Sequence, residues 1–270
     1  MKTNFWKQSI HWFCVLIIIA AFSFPFVWML LSSMKNQLQI TSGKLFDLTW
    51  SLSNYRDVFM QYNFLHFIVN SLIVAFGSTL GSLVLGLPAA YAIARYKMQG
   101  LGLVILAARI VPGISFVIPW FILFTQMKLI GTYTALILSH MLVGLPFVTW
   151  IMISFIETIP SELEEAAVVD GCSQAGAFTR IVLPLSGPGI MTSSILSFIF
   201  SWNNFMFSLV LAGDRTKTLP LAIFNFMSYS EINWGGLMAA ACIITVPVLV
   251  IALFVQRYIV SGMAAGALKG

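Results

Sequence analysis

The chain has 270 residues, 59% of them hydrophobic and only 9% charged, with a formal net charge of +5 and a mean hydropathy of +0.94. Soluble domains carry about 25% charged residues, so the composition describes an integral membrane protein and excludes a soluble globular domain. A positive balance on so apolar a chain reads as Lys and Arg flanking membrane spans, not as a nucleic-acid surface.

Residues 1–11 form a polar lead with Lys2 and Lys7. Residues 12–31 are apolar over about 20 positions, enough to cross a hydrocarbon core of ~30 Å. A cleavable signal peptide is the competing reading, but no small-residue cleavage site follows, and Pro25-Phe26-Val27-Trp28 continues apolar. An uncleaved first span is therefore expected. Residues 32–66 mix Lys35, Lys44, Asp47, Arg56 and Asp57 with aromatics and suit a folded external loop. A second span is predicted over 67–94, rich in Gly and Ser that allow close helix packing, with Arg95-Tyr96-Lys97 as a short basic loop. The third span, 101–125, holds Arg109, Pro112 and Pro119, and the fourth, 132–156, holds His140 and Pro146. The fifth, 185–212, carries Trp202-Asn203-Asn204, and a polar external loop over 213–236 leads to the sixth span, 237–255. The prediction is an all-α polytopic membrane protein with six transmembrane helices and both termini on one side. Lys2, Lys7, Arg95, Lys97, Arg180, Arg257 and Lys269 weigh that side as cytoplasmic against Lys35, Lys44, Arg56, Lys128, Arg215 and Lys217, a margin of one residue.

Between the fourth and fifth spans lies a polar island, ETIPSELEEAAVVDGCSQAGAFTRIVLPLSGP, residues 157–188. Of nine acidic residues in the chain, Glu157, Glu162, Glu164, Glu165 and Asp170 fall here. Pro160 stops the preceding helix. Ser161 and Glu164 fit the S-x-x-E capping box, and Glu162, Glu164 and Glu165 occupy a first helical turn, where the helix dipole favours negative charge. Asp170-Gly171 ends the helix, glycine being the usual residue past a C-terminus. A second short helix is expected over about 174–182. The Ala166-Ala167 face would let another surface approach closely.

The run Glu165-Ala166-Ala167, then Gly171, Ile181, Leu183 and Pro184, resembles the EAA loop of ABC importer permeases, with three, nine and one intervening residues as in that family's pattern. Further stretches are similar to permeases of carbohydrate importers, in particular the second, six-span subunit of the maltose type: Ser201-Trp202-Asn203-Asn204-Phe205, Met238-Ala239-Ala240-Ala241 with Pro247, and the ending from Val260 to Gly270. Leu268 and Cys172 depart from the family's usual Val and Ala.

The resemblance implies one transmembrane domain over 1–270 with a type I importer core at about 67–257, a coupling loop at 157–184 and a cytoplasmic tail at 258–270. It implies that Glu164, Glu165, Ala166, Ala167, Asp170, Gly171, Ile181, Leu183 and Pro184 form a cytoplasmic coupling helix that docks in an ATPase. Gly266, Lys269 and Gly270 in the tail would also reach the ATPase, unless the tail is simply frayed. Implied partners are a second related permease, two ATPase subunits binding ATP and Mg, an extracytoplasmic solute-binding protein and the lipid bilayer of a prokaryotic inner membrane. The solute would be a sugar, oligosaccharide or polyol. A glycerol-phosphate ester is the alternative within the family.

Single residues admit more than one role. Arg109, the only charge well inside a predicted span, is either a helix-packing donor, the favoured reading, or a pathway residue, since burying a cation costs at least ~2.5–3.5 kcal/mol. Trp202, Asn203 and Asn204 either line the solute path or hold helices together. His140 has no metal-ligand neighbour and is expected to hydrogen-bond between helices. Cys14, Cys172 and Cys242 lack metal spacing, and no catalytic residue, metal site or chain-bound cofactor is predicted. An ion-coupled secondary transporter would place carboxylates at mid-membrane, whereas all nine acids lie in loops. No H-E-x-x-H, G-x-S-x-G or G-x-x-x-x-G-K-[ST] occurs, so an intramembrane enzyme is disfavoured and any ATPase must be another chain.

Overall fold

In a computed structural model, residues 5–42, 50–227 and 232–267 are described. They are helical almost throughout, as lipid demands of a spanning backbone that must satisfy its own N–H and C=O groups. The helices are α1 (Phe5–Ser33), α2 (Gln37–Thr41), α3 (Ser53–Met60), α4 (Phe64–Arg95), α5 (Gln99–Ile110), α6 (Val117–Gln126), α7 (Tyr133–Glu157) and α8 (Glu162–Val169). After them come α9 (Gln174–Ala177), α10 (Leu183–Leu185), α11 (Gly187–Trp202), α12 (Met206–Leu211), α13 (Leu219–Ala222) and α14 (Trp234–Ala267).

Among the described residues, four helices are long and apolar enough to cross a membrane: Trp6–Ser33, Phe64–Arg95, Tyr133–Glu157 and Trp234–Leu253. The third predicted span is not one helix. Val111 takes an extended conformation (ψ 122°) ahead of Pro112, and the chain restarts in a short turn, Gly113–Phe116, before α6. Proline pushes the residue before it out of the helical region and brings no N–H to continue the ladder. The fifth predicted span is interrupted as well. The chain bends by 76° at Ser186, between the segments Gln174–Leu185 and Gly187–Trp202, and α11 stops at Trp202, well short of the expected span's end at 212.

The chain forms two compact groupings, residues 1–64 with 223–246 and residues 65–222 with 247–270. In the first, α1 presents large apolar side chains outward all round, and none of its most apolar stretch is buried within the chain. Such a helix belongs in lipid or against another chain. Asn54 Nδ2 donates to the carbonyls of Ser33 and Lys35 at 2.8 Å each, tying α3 to the end of α1.

The second grouping is built on α7, which packs against α5, α11 and α12. One buried cluster joins Val74, Phe124, Leu136, Phe207 and Leu211. Another joins Ala90, Tyr91, Val148, Met152, Ile156 and Val182. Between them the contact is close and polar, because lipid supplies no hydrophobic drive and helices associate through packing and hydrogen bonds. A Cβ on Gly144 would lie 2.8 Å from Ser82 Oγ and 3.0 Å from Ser197 Oγ, so only glycine admits α4 and α11 at this depth. Ser78 Oγ donates to Ser201 Oγ at 3.0 Å, and Ser201 Oγ sits 2.7 Å from His140 Nδ1. That set stitches α4, α7 and α11 together, the interhelical role expected of His140.

Candidate functional site

The island folds as two short helices around a tight turn. Gly171 has φ +93°, the left-handed region open to glycine. Its N–H donates to Val168 O at 3.0 Å, and Cys172 N–H donates to Ala167 O at 2.9 Å. These are the paired bonds of a Schellman stop. Ser173 then caps α9, its hydroxyl accepting from Gly176 N–H at 3.1 Å. The chain continues through a single π-helical turn, Phe178–Val182, into α10. Ile181 and Leu183 are half-buried there and Pro184 is exposed, while the neighbouring Val182 is fully buried in the second cluster and anchors this end of the island.

The start of α8 differs from the capping-box expectation. Ser161 is itself helical (φ −66°, ψ −25°) and its side chain makes no cap bond. Glu164 is drawn away by stronger partners. Arg95 Nε donates to Glu164 Oε1 at 2.6 Å, with a second guanidinium nitrogen 2.5 Å from the same oxygen. Tyr91 Oη donates to Glu164 Oε2 at 2.7 Å. Arg95 also donates to Ile159 O at 3.0 Å. Glu164 is only 6% exposed, whereas Glu162 and Glu165 are exposed. Both oxygens of this carboxylate are satisfied, the condition under which a poorly solvated ion pair is tolerated.

The latch reaches both short helices. The Tyr91 ring packs on Phe178 at 4.8 Å between centroids, and Tyr91 Oη lies 3.4 Å from Gln174 Oε1. Arg95 and Tyr91 therefore fasten the island to the last turns of α4. Some 37 Å away at 1.5 Å per residue, the other end of α4 is fastened too. Buried Asn70 donates to Arg215 O at 3.0 Å and Lys217 O at 2.8 Å, and accepts from Tyr133 Oη at 2.6 Å. Sequence reading missed Arg95 and Tyr91 because their partner lies 69 and 73 positions away. The available signal was an arginine closing a span beside an acid-rich island.

The outer surface of α8 is left uncovered. Leu163, Ala166, Val168 and Val169 are exposed, Val169 at 86%, as are Glu165, Asp170 and Gly171, with Ala167 half-buried. Beside it runs a groove of about 430 Å³ lined by Tyr91, Arg95, Tyr96, Glu165, Val168 and Val169 among others.

The break after α11 opens a second feature, a cavity of about 650 Å³ between α7 and α11. Asn203, Asn204 and Phe205 line it with Val143, Gly144, Phe147 and Ser197, and no charged side chain contributes. Both asparagines also finish helix ends. Asn203 Nδ2 donates to Ile199 O at 3.0 Å, and Asn204 Oδ1 accepts from Phe207 N–H at 3.1 Å. Trp202 does not join them. It is 1% exposed, with its ring stacked on Phe198 at 5.9 Å. Arg109 lies in the last turns of α5, and its side chain is outside the described residues. Gly266 is in the last turn of α14, and Lys269 and Gly270 are outside the described residues, as are Lys2, Lys44, Asp47 and Glu231. Among the described residues no group of His, Cys, Asp and Glu could hold a metal ion.

A helical membrane-embedded body, a neutral cavity among its helices and an exposed two-helix island clamped to one of them define a transport subunit. The chain belongs to the family of binding-protein-dependent transport system inner membrane components, whose profile matches residues 82–265. It is 34% identical over 271 residues to the trehalose transport system permease protein SugB of Mycobacterium tuberculosis, covering 98% of this chain and 99% of that one. It is 37% identical over 254 residues to the trehalose/maltose transport system permease protein MalG of Thermococcus litoralis, covering 92% and 91%. In fold it matches a chain of a bacterial ABC transporter involved in the import of the acidic polysaccharide alginate, with TM-score 0.82 over 96% of this chain and 98% of the other at 18% identity.

Proposed function

We propose that this chain is one permease of a binding-protein-dependent ABC importer for a neutral carbohydrate. It pairs with a second, related permease to form the pathway. One of two ATPase subunits grips α8 and its turn, and the ATPase pair binds the ATP and Mg that this chain does not bind. In this reading the chain crosses the inner membrane six times. The third crossing is α5 with α6, the fifth is α11 with α12, and both termini and the island are cytoplasmic.

One observation carries the proposal: the exposed α8 face is backed by the Arg95–Glu164–Tyr91 latch on α4. A helix received in a partner's groove transmits force only if its rear is fixed to the moving span. ATP and the loaded binding protein would favour one arrangement of the paired permeases, and hydrolysis would restore the other. The relatives named for trehalose and maltose support a sugar as solute. The uncharged lining at Asn203–Phe205 supports a neutral sugar over a glycerol-phosphate ester, which would call for cationic or helix-terminal phosphate contacts.

The test is a disulfide crosslink between Val169→Cys and a cysteine in the ATPase cleft, in a Cys172→Ala background. The expected result is a crosslink in the assembled complex that varies with nucleotide. An intact complex with no crosslink at any cleft position would overturn the docking assignment.

A further inference from the structure

The first grouping contains a cavity of about 380 Å³ whose lining is unlike the rest of the molecule. Among the described residues it is formed by Asn36, Gln37, Asn54, Tyr62, Asn225, Phe226 and Asn233, with no Asp, Glu, Lys or Arg and a single apolar side chain. Its volume falls in the range of small-molecule sites, about 300–1,000 Å³.

Three of the five amides, those of Asn36, Asn54 and Asn233, fix the scaffold with one half and leave the other half available. Asn36 Oδ1 accepts from Gln39 N–H at 2.9 Å, leaving its NH₂. Asn54 Nδ2 is taken by Ser33 O and Lys35 O, leaving its carbonyl oxygen. Asn233 Oδ1 accepts from Gly236 N–H at 2.9 Å, leaving its NH₂. Gln37 uses both halves of its amide. Its amide donates to Ile232 O at 2.7 Å and its oxygen accepts from Trp234 N–H at 3.0 Å, so it holds the two sides of the cavity together. Asn225 is exposed, and neither its amide nor the Tyr62 hydroxyl has a hydrogen-bond partner among the described residues.

Glycines make the close packing behind this lining possible. A Cβ on Gly235 would lie 2.6 Å from Asn54 Nδ2, and one on Gly236 would lie 2.6 Å from the Phe226 ring. Tyr62 is half-buried and leans on Phe226 with centroids 4.5 Å apart, presenting an aromatic surface next to the amides.

We infer that this cavity is a second, separate binding site for a neutral saccharide unit. Amide NH₂ groups, an amide oxygen and a phenol in one pocket provide the alternating donors and acceptors that adjacent hydroxyls need. The aromatic ring offers a surface for the apolar C–H face of a pyranose. Among the described lining residues no charged side chain would offset the desolvation of an anionic or cationic ligand, which favours a neutral one. Only the assignment of the cavity to the external face, as a first station for solute ahead of the membrane cavity, rests on the importer reading above.

The test uses the whole complex in lipid nanodiscs without the solute-binding protein, probed with trehalose, maltose and glucose, and with gluconate as an anionic polyol. Saturation-transfer NMR is the readout. Expected are signals from at least one neutral sugar with a millimolar Kd, none from gluconate, and at least fivefold weakening in Asn225→Leu. Tyr62→Phe, which keeps the ring, should weaken binding less. Asn225 is exposed and unpartnered, so its substitution leaves the fold alone. Equal sugar signals in wild type and Asn225→Leu would overturn the site. Uptake with the binding protein present separates the two claims. Import of a neutral sugar with no signal at this pocket overturns the pocket alone. Signal without import of any neutral sugar supports the pocket and counts against the importer reading.

Discussion

The island and the membrane cavity use polar residues in opposite ways. At the island, one part-buried ion pair with a tyrosine fastens two short helices to a long one, and the outward face exposes Leu163, Val168 and Val169 beside Glu165 and Asp170. At the cavity every lining residue is neutral, and the two asparagines close helix ends while facing open space. The first arrangement suits a rigid joint that carries force. The second suits a weak, hydroxyl-tolerant surface that must release what it holds.

Breaking the joint should have the largest effect. Arg95→Ala leaves Glu164 poorly solvated with only Tyr91, and removing one member of a buried pair costs about 3 kcal/mol or more. A lower melting temperature of the purified complex and a weaker hold on the ATPase are expected. A melting temperature equal to wild type would show that the pair carries little. Next in size is Gly171→Val. A β-branched residue at φ +93° is strained by about 1–2 kcal/mol, with no steric clash to add, since nothing lies within 4 Å of a Cβ there. The turn should reshape locally, leaving membrane insertion intact and reducing import per ATP hydrolysed. Unchanged coupling in that variant would dissociate the turn from the mechanism. The smallest effect is at the cavity. Asn204→Ala removes a helix-end acceptor at a cost of about 1 kcal/mol and should raise the apparent KM for solute more than it lowers the maximal rate. A fall in rate alone would assign Asn204 to structure only.

How much of this the sequence discloses depends on whether the cause is local. Pro160, Gly171 and Ser173 act on their own backbone, so the island's ends and its turn are readable from the letters. The long helices are readable because unbroken apolar runs leave no other choice in lipid. Glu164 is misread as a cap because the local pattern is complete in itself, while the competing partners, Tyr91 and Arg95, lie on another helix and offer ionic bonds that a serine cannot match. The third predicted span, 101–125, comes as two helices, α5 and α6, because Pro112 interrupts the apolar run. Only the extended backbone at Val111 reveals a full stop. Trp202 is expected beside Asn203, yet rotation about the last turn of α11 places it against Phe198 while the asparagine faces the cavity.

The number of solute molecules imported per ATP hydrolysed tests the joint most directly, measured in proteoliposomes with Arg95→Met and Glu164→Met together. Two methionines restore apolar packing in place of the pair, so the complex should assemble and hydrolyse ATP while import per ATP falls at least tenfold. An unchanged ratio in that double variant would contradict the claim that α8 works as a handle fixed to α4.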